Sequence, residues 1–586
     1  MENREVAERL RQTADLLEVA GEDSFRVRSY RKAADVVDTC PEPVAALCLD
    51  PKRLLALPGI GRTMAGHIQE LVSSGELGLH RELLARFQPG MLELLQINGL
   101  GPKTVAMIWQ TYQAGTLDAV EALAQAGQLQ VLPRMGPRAE EKILKGIAAY
   151  RQMRGRMRRD QAEAVLQLLL PGLASALGVA GVAVAGSYRR GRDTVGDLDI
   201  LMWGPGFPAS AAAARERVLQ APRLEEVLGQ GDNKISLRLH AGTQVDVRLL
   251  PPESAGAALQ YFTGSQQHNI QLRARAQQMG LKLNEYGLFR ETGGAPGERV
   301  AGDSEEAVYA ALGLAWIPPE LREASGEIEA AAAGQLPRLI EAADLRGDLH
   351  MHTTASDGRT GILEMAAAAA ERGYRYVAIT DHSQALAMAN GLDERRMLEH
   401  LEAIRAAERT FQQQHAGFRI FAGIEVDILA DGRLDMADEV LAQLDWVIGS
   451  IHSRFDQPEA ETTARLVRAV SNPHLDVLGH PSGRLLLRRE AYRYDFEQVV
   501  EACREHGVAM EINASPERLD LNEVQARRAR QRGVMLTINT DAHHPRHLDN
   551  MRYGLATARR AWLQAGDVVN TASDPLRLVH REPASG

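Results

Sequence analysis

Apolar residues recur along this chain in two different rhythms. Up to about residue 160 the pattern is helical, starting with a charged amphipathic helix directly after Met1-Glu2-Asn3-Arg4-Glu5. From residue 347 to 543 it becomes seven short β-like runs separated by helical stretches, and most of the runs end in His, Asp or Glu. That alternation predicts a β/α barrel, whose strand ends converge on one face. In between, residues 181–185, 197–200 and 244–248 read as strands. The uncharged stretch 165–184 is long enough on paper to span a bilayer. Pro171-Gly172 is expected to divide it into a helix end and a segment running into the first of these strands, so a buried helix and strand are predicted. Residues 319–343, rich in Glu and Ala, are predicted to form a helical linker.

Gly186-Ser187-Tyr188-Arg189-Arg190-Gly191 follows the first strand, at a turn where backbone N–H groups can face a phosphate. Shortly after it, Asp197 and Asp199 alternate with Leu198 and Ile200, which puts both carboxylates on one strand face. Adjacent carboxylates repel unless a cation lies between them, and Mg²⁺ takes such oxygens together with substrate phosphates. Asp246, in the alternating run Gln244-Val245-Asp246-Val247-Arg248, can join them from a neighbouring strand. A phosphate turn beside three carboxylates points to nucleotidyl transfer.

On these residues the chain resembles the family X DNA polymerases. The resemblance implies that Gly186, Ser187, Arg190 and Gly196 bind a triphosphate, and that Asp197, Asp199 and Asp246 are catalytic ligands of two Mg²⁺ or Mn²⁺ ions. It implies further that Tyr261, Phe262 and Gly264, within Tyr261-Phe262-Thr263-Gly264-Ser265, pack on the sugar of the incoming nucleotide. Asn269 and Arg273 fall where the family contacts the base edge and the template, and Leu283-Asn284-Glu285-Tyr286-Gly287 resembles its thumb. Taken alone, the Tyr261–Ser265 run reads as a strand end with a turn.

In the helical third, Leu57-Pro58-Gly59-Ile60-Gly61 and Ile97-Asn98-Gly99-Leu100-Gly101 each stand between two helical patterns and look like helix-hairpin-helix motifs. Gly59, Gly61, Gly99 and Gly101 would permit tight hairpins whose N–H groups meet DNA backbone phosphates without reading sequence. Leu132-Pro133-Arg134-Met135-Gly136 reads as a degenerate third copy. The run Arg151, Arg154, Arg156, Arg158, Arg159 is either a solvated face or a phosphate contact. Family X enzymes often place a Schiff-base Lys of a 5'-deoxyribose-phosphate lyase after the first hairpin. His67 stands at that position here, imidazole cannot form the iminium, and Lys52 is the nearby amine.

Twelve of the 17 histidines lie between residues 347 and 547. Imidazoles and carboxylates at barrel strand ends favour Zn²⁺, Mn²⁺ or Fe²⁺ over Mg²⁺. The signatures His350-Met351-His352, Ser356-Asp357-Gly358, Thr380-Asp381-His382, Gly423-Ile424-Glu425, His452, Gly479-His480-Pro481 and Thr540-Asp541-Ala542-His543 resemble the PHP (polymerase and histidinol phosphatase) domain. The resemblance implies nine ligands, His350, His352, Asp357, His382, Glu425, His452, His480, Asp541 and His543, holding up to three ions bridged by Glu425. His350, His352 and Asp541 would serve one ion, Asp357, His382 and His543 a second, and His452 and His480 the third. His400 and the remaining barrel histidines are read as non-ligands.

The net charge of −10 argues against a DNA-binding role only until it is divided along the chain, since the acidic excess falls mostly beyond residue 318. Three cysteines without metal or disulfide spacing fit a reducing cytoplasm. The expected class is multidomain α+β and α/β. It comprises helical helix-hairpin-helix domains at 1–85 and 86–160, a nucleotidyltransferase palm at 161–260 and a thumb at 261–318. The linker at 319–343 and a distorted (β/α)7 PHP barrel at 344–586 complete it. The expected activity is gap-filling DNA synthesis in base excision repair by a cytoplasmic monomer that binds gapped or primed DNA and dNTPs and no membrane. The barrel is expected to act as a 3'-5' exonuclease, with abasic-site cleavage or 3'-end phosphatase action alongside. Two alternatives stand beside this: a barrel that hydrolyses pyrophosphate or small phosphomonoesters, and a non-enzymatic DNA-end scaffold.

Overall fold

The computed structural model describes residues 3–38, 40, 44–57, 59–87, 90–97, 99–133, 135–153, 155–292 and 295–579. Pro58, Asn98, Arg134 and Arg154, named above, lie outside them. The chain separates into two compact units, residues 1–154 and 155–586.

The first unit is helical. In Asn3–Val19 the apolar residues Val6, Leu10, Ala14 and Leu17 form one stripe at helical spacing. That stripe packs on Ser24–Asp38 and shares its core with Ile68 and Leu71 of Arg62–Ser74. Pro102–Tyr112, Leu117–Gln125 and Pro137–Met153 continue the same core through Val105, Val120 and Ile143.

The second unit contains three larger sheets, besides a two-stranded pairing of Met157–Arg158 with Thr194–Val195. That pairing ties residues 157–158 to the second unit, so the unit begins ahead of the boundary expected at residue 160. The palm sheet runs Gly181–Val184, Asp197–Trp203, Gln244–Leu250, Lys234–Leu239, Leu224–Gln230, with only the pair Asp197–Trp203 and Gln244–Leu250 parallel. A three-stranded antiparallel sheet follows (Leu281–Asn284, Gly287–Thr292, Ala295–Ala301). The last sheet has seven parallel strands in chain order, from Gly347–Asp348 to Leu536–Asn539. A bridge between Met351 and Ala542 brings its first and last strands together.

Three local expectations change. Helix Arg159–Ala174 runs through Pro171 rather than stopping there. The missing N–H falls in the final turn, where it forfeits one bond, while Leu166, Leu169 and Leu173 bury the helix face against the palm sheet. Residues Tyr261 to Thr263 end a helix, Ala255–Thr263, and not a strand, with Gly264 at φ +67° terminating it. The segment expected to be a helical linker is helical only over Glu327–Ala332, besides the short turns Pro319–Leu321 and Ala342–Asp344. Leu321, Ile328, Ala331 and Leu339 join the thumb core, and buried Glu327 accepts a 2.7 Å bond from His268 Nδ1.

Candidate active sites

In the palm, Asp199 and Asp246 are register partners across the parallel strand pair, and Asp197 pairs with Gln244 two residues along. Burial, then the charges of Asp197 and Asp246, push the Asp199 carboxyl up to about 6. Burial acts on Asp246 in the same sense but is outweighed by Lys234, whose Nζ lies 2.8 Å from Asp246 Oδ2, so this carboxyl sits below its ordinary value. A crowded acidic trio partly neutralised by a lysine is a donor set that suits divalent cations. Lys234 has no motif to announce it; it reaches Asp246 only because its strand is the next neighbour in the sheet.

Asp197 and Asp199 open on a cavity of 430 Å³ also lined by Gly186, Ser187, Arg190, Tyr261, Phe262, Gly264, Gln266, Asn269 and Arg273. Gly186 adopts φ +65°, and a Cβ there would stand 2.5 Å from Asp199 Oδ2, so only glycine lets the turn approach the carboxylate this closely. Ala185 N donates to Asp199 O at 2.8 Å and fixes that approach. Gly196 is not in the cavity wall; it faces Arg156. Arg190 donates through Nε to Glu323 (3.0 Å) and through Nη1 to the Thr263 carbonyl (2.5 Å). Arg189 instead grips Glu305 with both Nη atoms, at 2.7 and 2.8 Å. Asn269 accepts from Gln260 (2.8 Å) and donates to the Tyr261 carbonyl (2.7 Å), so its amide holds the end of the Tyr261 helix in place. Tyr261 and Phe262 meet edge to face, and Arg248 lies 3.9 Å over the Phe262 ring.

The arginine run dissolves into separate tasks, which neither expectation for it foresaw. Arg151 pairs with Asp118 and Glu121, Arg156 donates to Thr194, and buried Arg158 joins Asp160 and Glu517. Arg159 lies over the ring of Tyr188.

At the barrel's strand ends all nine expected ligands converge. Among the described residues three groups bring their ligand atoms within 4.8 Å of one another: His352, Asp357, His382 and His543; His350, His352 and Asp541; His382, Glu425 and His452. Glu425 is central, with Oε2 2.9 Å from His382 Nδ1 and 3.4 Å from His350 Nε2, and Oε1 2.9 Å from His480 Nε2. The grouping thus differs from the expected one in sharing His352 between two clusters and in setting His382 beside Glu425 and His452.

Buried atoms without a hydrogen-bond partner include His350 Nε2, both nitrogens of His352, His480 Nδ1, Glu425 Oε2 and Asp541 Oδ1. Such orphaned donors and acceptors would be costly unless a cation satisfied them, so the residues fit metal ions. Burial and neighbouring imidazoles hold His352 at about 4, while Asp357 and Asp541 override burial and lift His543 to about 9. Glu425 and Asp541 lie well below the ordinary carboxylate range, because surrounding histidines outweigh their burial.

Two buried carboxylates here escaped the sequence reading. Glu511 accepts from His350 Nδ1 at 2.7 Å and from the His480 backbone at 2.8 Å, which leaves His350 Nε2 facing the cluster. Asp381 accepts from His400 Nε2 (2.8 Å), Thr353 and Ser356, so His400, read as a non-ligand, braces the loop that carries Asp357.

In the helical unit Gly59 and Gly99 take φ +87° and +98°, and the Leu57 and Ile97 carbonyls accept from Ile60 (3.1 Å) and Leu100 (3.0 Å). Gly61 and Gly101 cap the following helices with open space around them. The degenerate copy repeats the turn, Met135 N donating to Leu132 O at 3.1 Å.

Models of known families match in succession along the chain. They are a helix-hairpin-helix domain (1–77), a SAM-like helix-hairpin-helix tandem (91–149), a DNA polymerase beta palm (156–231), a DNA polymerase beta thumb (258–323) and a PHP domain (348–515). The DNA polymerase/3'-5' exonuclease PolX of Bacillus subtilis is 36% identical over 98% of each chain. DNA polymerase lambda of Arabidopsis thaliana is 27% identical over 55% of this chain and 62% of its own. A probable phosphatase of Caldanaerobacter subterraneus is 30% identical over 33% of this chain and 75% of its own. Arranged as it is along the sequence from helix-hairpin-helix modules through palm and thumb to a histidine-rich barrel, the chain belongs to the family X DNA polymerases that carry a C-terminal PHP domain.

Proposed function

We infer that this protein is a DNA-directed DNA polymerase that fills short gaps in DNA repair, with a barrel that acts as a metal-dependent 3'-5' exonuclease. The observation that carries the reading is the side-by-side register of Asp199 and Asp246, with Asp197, at the mouth of a cavity walled by the Gly186–Arg190 turn. Asp197, Asp199 and Asp246 would hold two divalent ions, Mg²⁺ or Mn²⁺, which when bound supply activation of the primer 3'-hydroxyl and charge neutralisation at the leaving pyrophosphate. The turn's N–H groups and Ser187 orient the triphosphate, Arg190 adds a fixed positive charge, and the Tyr261–Phe262 pair forms a wall beside the sugar. Gly59, Gly61, Gly99 and Gly101 present hairpin N–H groups to the backbone phosphates of gapped or primed DNA.

In the barrel, His350, His352, Asp357, His382, Glu425, His452, His480, Asp541 and His543 would hold Mn²⁺, Zn²⁺ or Fe²⁺, which when bound supply an activated water and leaving-group stabilisation for phosphoester hydrolysis. Glu511 keeps His350 in the tautomer with Nε2 free. The likeness to a probable phosphatase makes a small phosphomonoester a second substrate class worth testing.

The test is incubation of the full chain with 5'-labelled gapped DNA, with and without dNTPs, in Mg²⁺ and in Mn²⁺, beside p-nitrophenyl phosphate. Extension with dNTPs and stepwise shortening without them are expected. Neither product in either metal would overturn the reading, and turnover of the phosphate ester alone would reassign the barrel.

A further inference from the structure

The palm turn that lines the cavity is held from behind by the barrel. Helix Met551–Arg560 places Arg560, whose side chain is 1% exposed, against Gly191, where a Cβ would stand 3.4 Å from Ala556 and 3.5 Å from Arg560 Cδ. Arg560 Nη1 donates to the Arg190 backbone carbonyl (3.0 Å) and to Glu323 (2.9 Å), and Nη2 donates to Glu523 (2.5 Å). Glu323 is the same carboxylate that accepts from Arg190 Nε. Two further contacts clamp the turn's exit, Arg192 to Glu523 (3.3 Å) and Arg484 to Asp193 (2.7 Å), both reaching barrel residues.

The charges form a chain in which Glu323 is shared between one arginine of the palm cavity and one of the barrel. Sharing limits how far Glu323 cancels the charge on Arg190. Without Arg560, Glu323 would be left to Arg190 at 3.0 Å, with Arg192 more distant at 3.9 Å, and the Arg190 backbone would lose its donor.

We propose that Arg560 of the barrel is a positioning residue for polymerisation, which holds the Arg190 turn and keeps Arg190 available to the incoming triphosphate. The proposal rests on the polymerase reading of the cavity and goes beyond it by making the barrel a structural part of the nucleotide site.

The experiment measures gap filling in the full chain, with dNTP KM and kcat determined separately, and barrel hydrolysis as the check on folding. Arg560→Ala is expected to raise dNTP KM about tenfold with kcat within about twofold, while hydrolysis of DNA persists. Arg560→Lys keeps the charge but loses one donor group and should fall between, and it carries the test should the alanine variant not fold. Adding Glu323→Gln to Arg560→Ala should bring KM back toward wild type, because it removes the carboxylate that cancels Arg190; a purely structural role gives no such recovery. An unchanged KM in the folded variants overturns the proposal, as does a second substitution that only worsens KM. Wild-type extension that disappears in an Asp197→Ala, Asp199→Ala protein secures the polymerase reading independently, so the two can fail separately.

Discussion

Tyr30 Oη lies 2.7 Å from His67 Nδ1, with the two rings stacked at 5.6 Å. Burial raises the Tyr30 hydroxyl to about 12 and lowers His67, so a neutral imidazole accepts from an intact phenol. Nothing in that pair is a nucleophilic amine. Borohydride is expected to leave the protein untrapped on DNA bearing a 5'-deoxyribose phosphate. Efficient trapping would reveal another amine at work, with exposed Lys52 the first to substitute.

The palm and barrel sites use separate ligand sets. Asp197→Ala with Asp199→Ala should abolish extension, by at least about a thousandfold given what metal-held carboxylates contribute to phosphoryl transfer. Shortening of the same labelled DNA should persist. Loss of both activities in a folded double variant would contradict two independent centres.

Glu425 lies within 3.6 Å of five of the barrel's imidazoles, whereas the His480 ring is paired with the one carboxylate of Glu425, unlike His350, His352 and His382, which also reach Asp541 or Asp357. Glu425→Ala should therefore release more metal than His480→Ala and nearly eliminate DNA hydrolysis, while gap filling survives. Elemental analysis beside a nuclease assay decides it, and equal metal loss in the two variants would remove Glu425 from its central role.

Buried Glu305 accepts from Arg189 and Arg322, which outweigh its desolvation and hold it at about 2 against an ordinary 4.5. A folded value below the unfolded one contributes stability that is complete above pH 4.5 and lost as pH falls toward 2. That contribution is on the order of 3 kcal/mol. Glu305→Gln should lower the melting temperature of the second unit at pH 7, and the difference from wild type should shrink between pH 4.5 and 2. A difference independent of pH would show that the ion pairs are not its source.

Much of this was legible in the sequence because short-range spacing encodes it. Asp197 and Asp199 share a strand face by simple alternation, and the His350, His382, Glu425 and Asp541 signatures each end a β-like run. What escaped depends on distant chain segments. Lys234 reaches Asp246 through strand order, Glu511 meets His350 across the barrel, and Glu323 joins Arg560 across a domain boundary; none has a local signal. Pro171 misled because composition cannot say that a proline falls in a helix's last turn with its apolar face already buried.

The bridge between Met351 and Ala542 bears on synthesis of the protein. His352 and Asp541, 3.1 Å apart, come from opposite ends of the barrel, so a ribosome makes one long before the other. Contacts of such sequence separation form late. On the nascent chain the palm carboxylates are complete while the hydrolytic centre still lacks His543 from one cluster and Asp541 from another, so hydrolysis is expected only after the final strand has emerged and closed the ring.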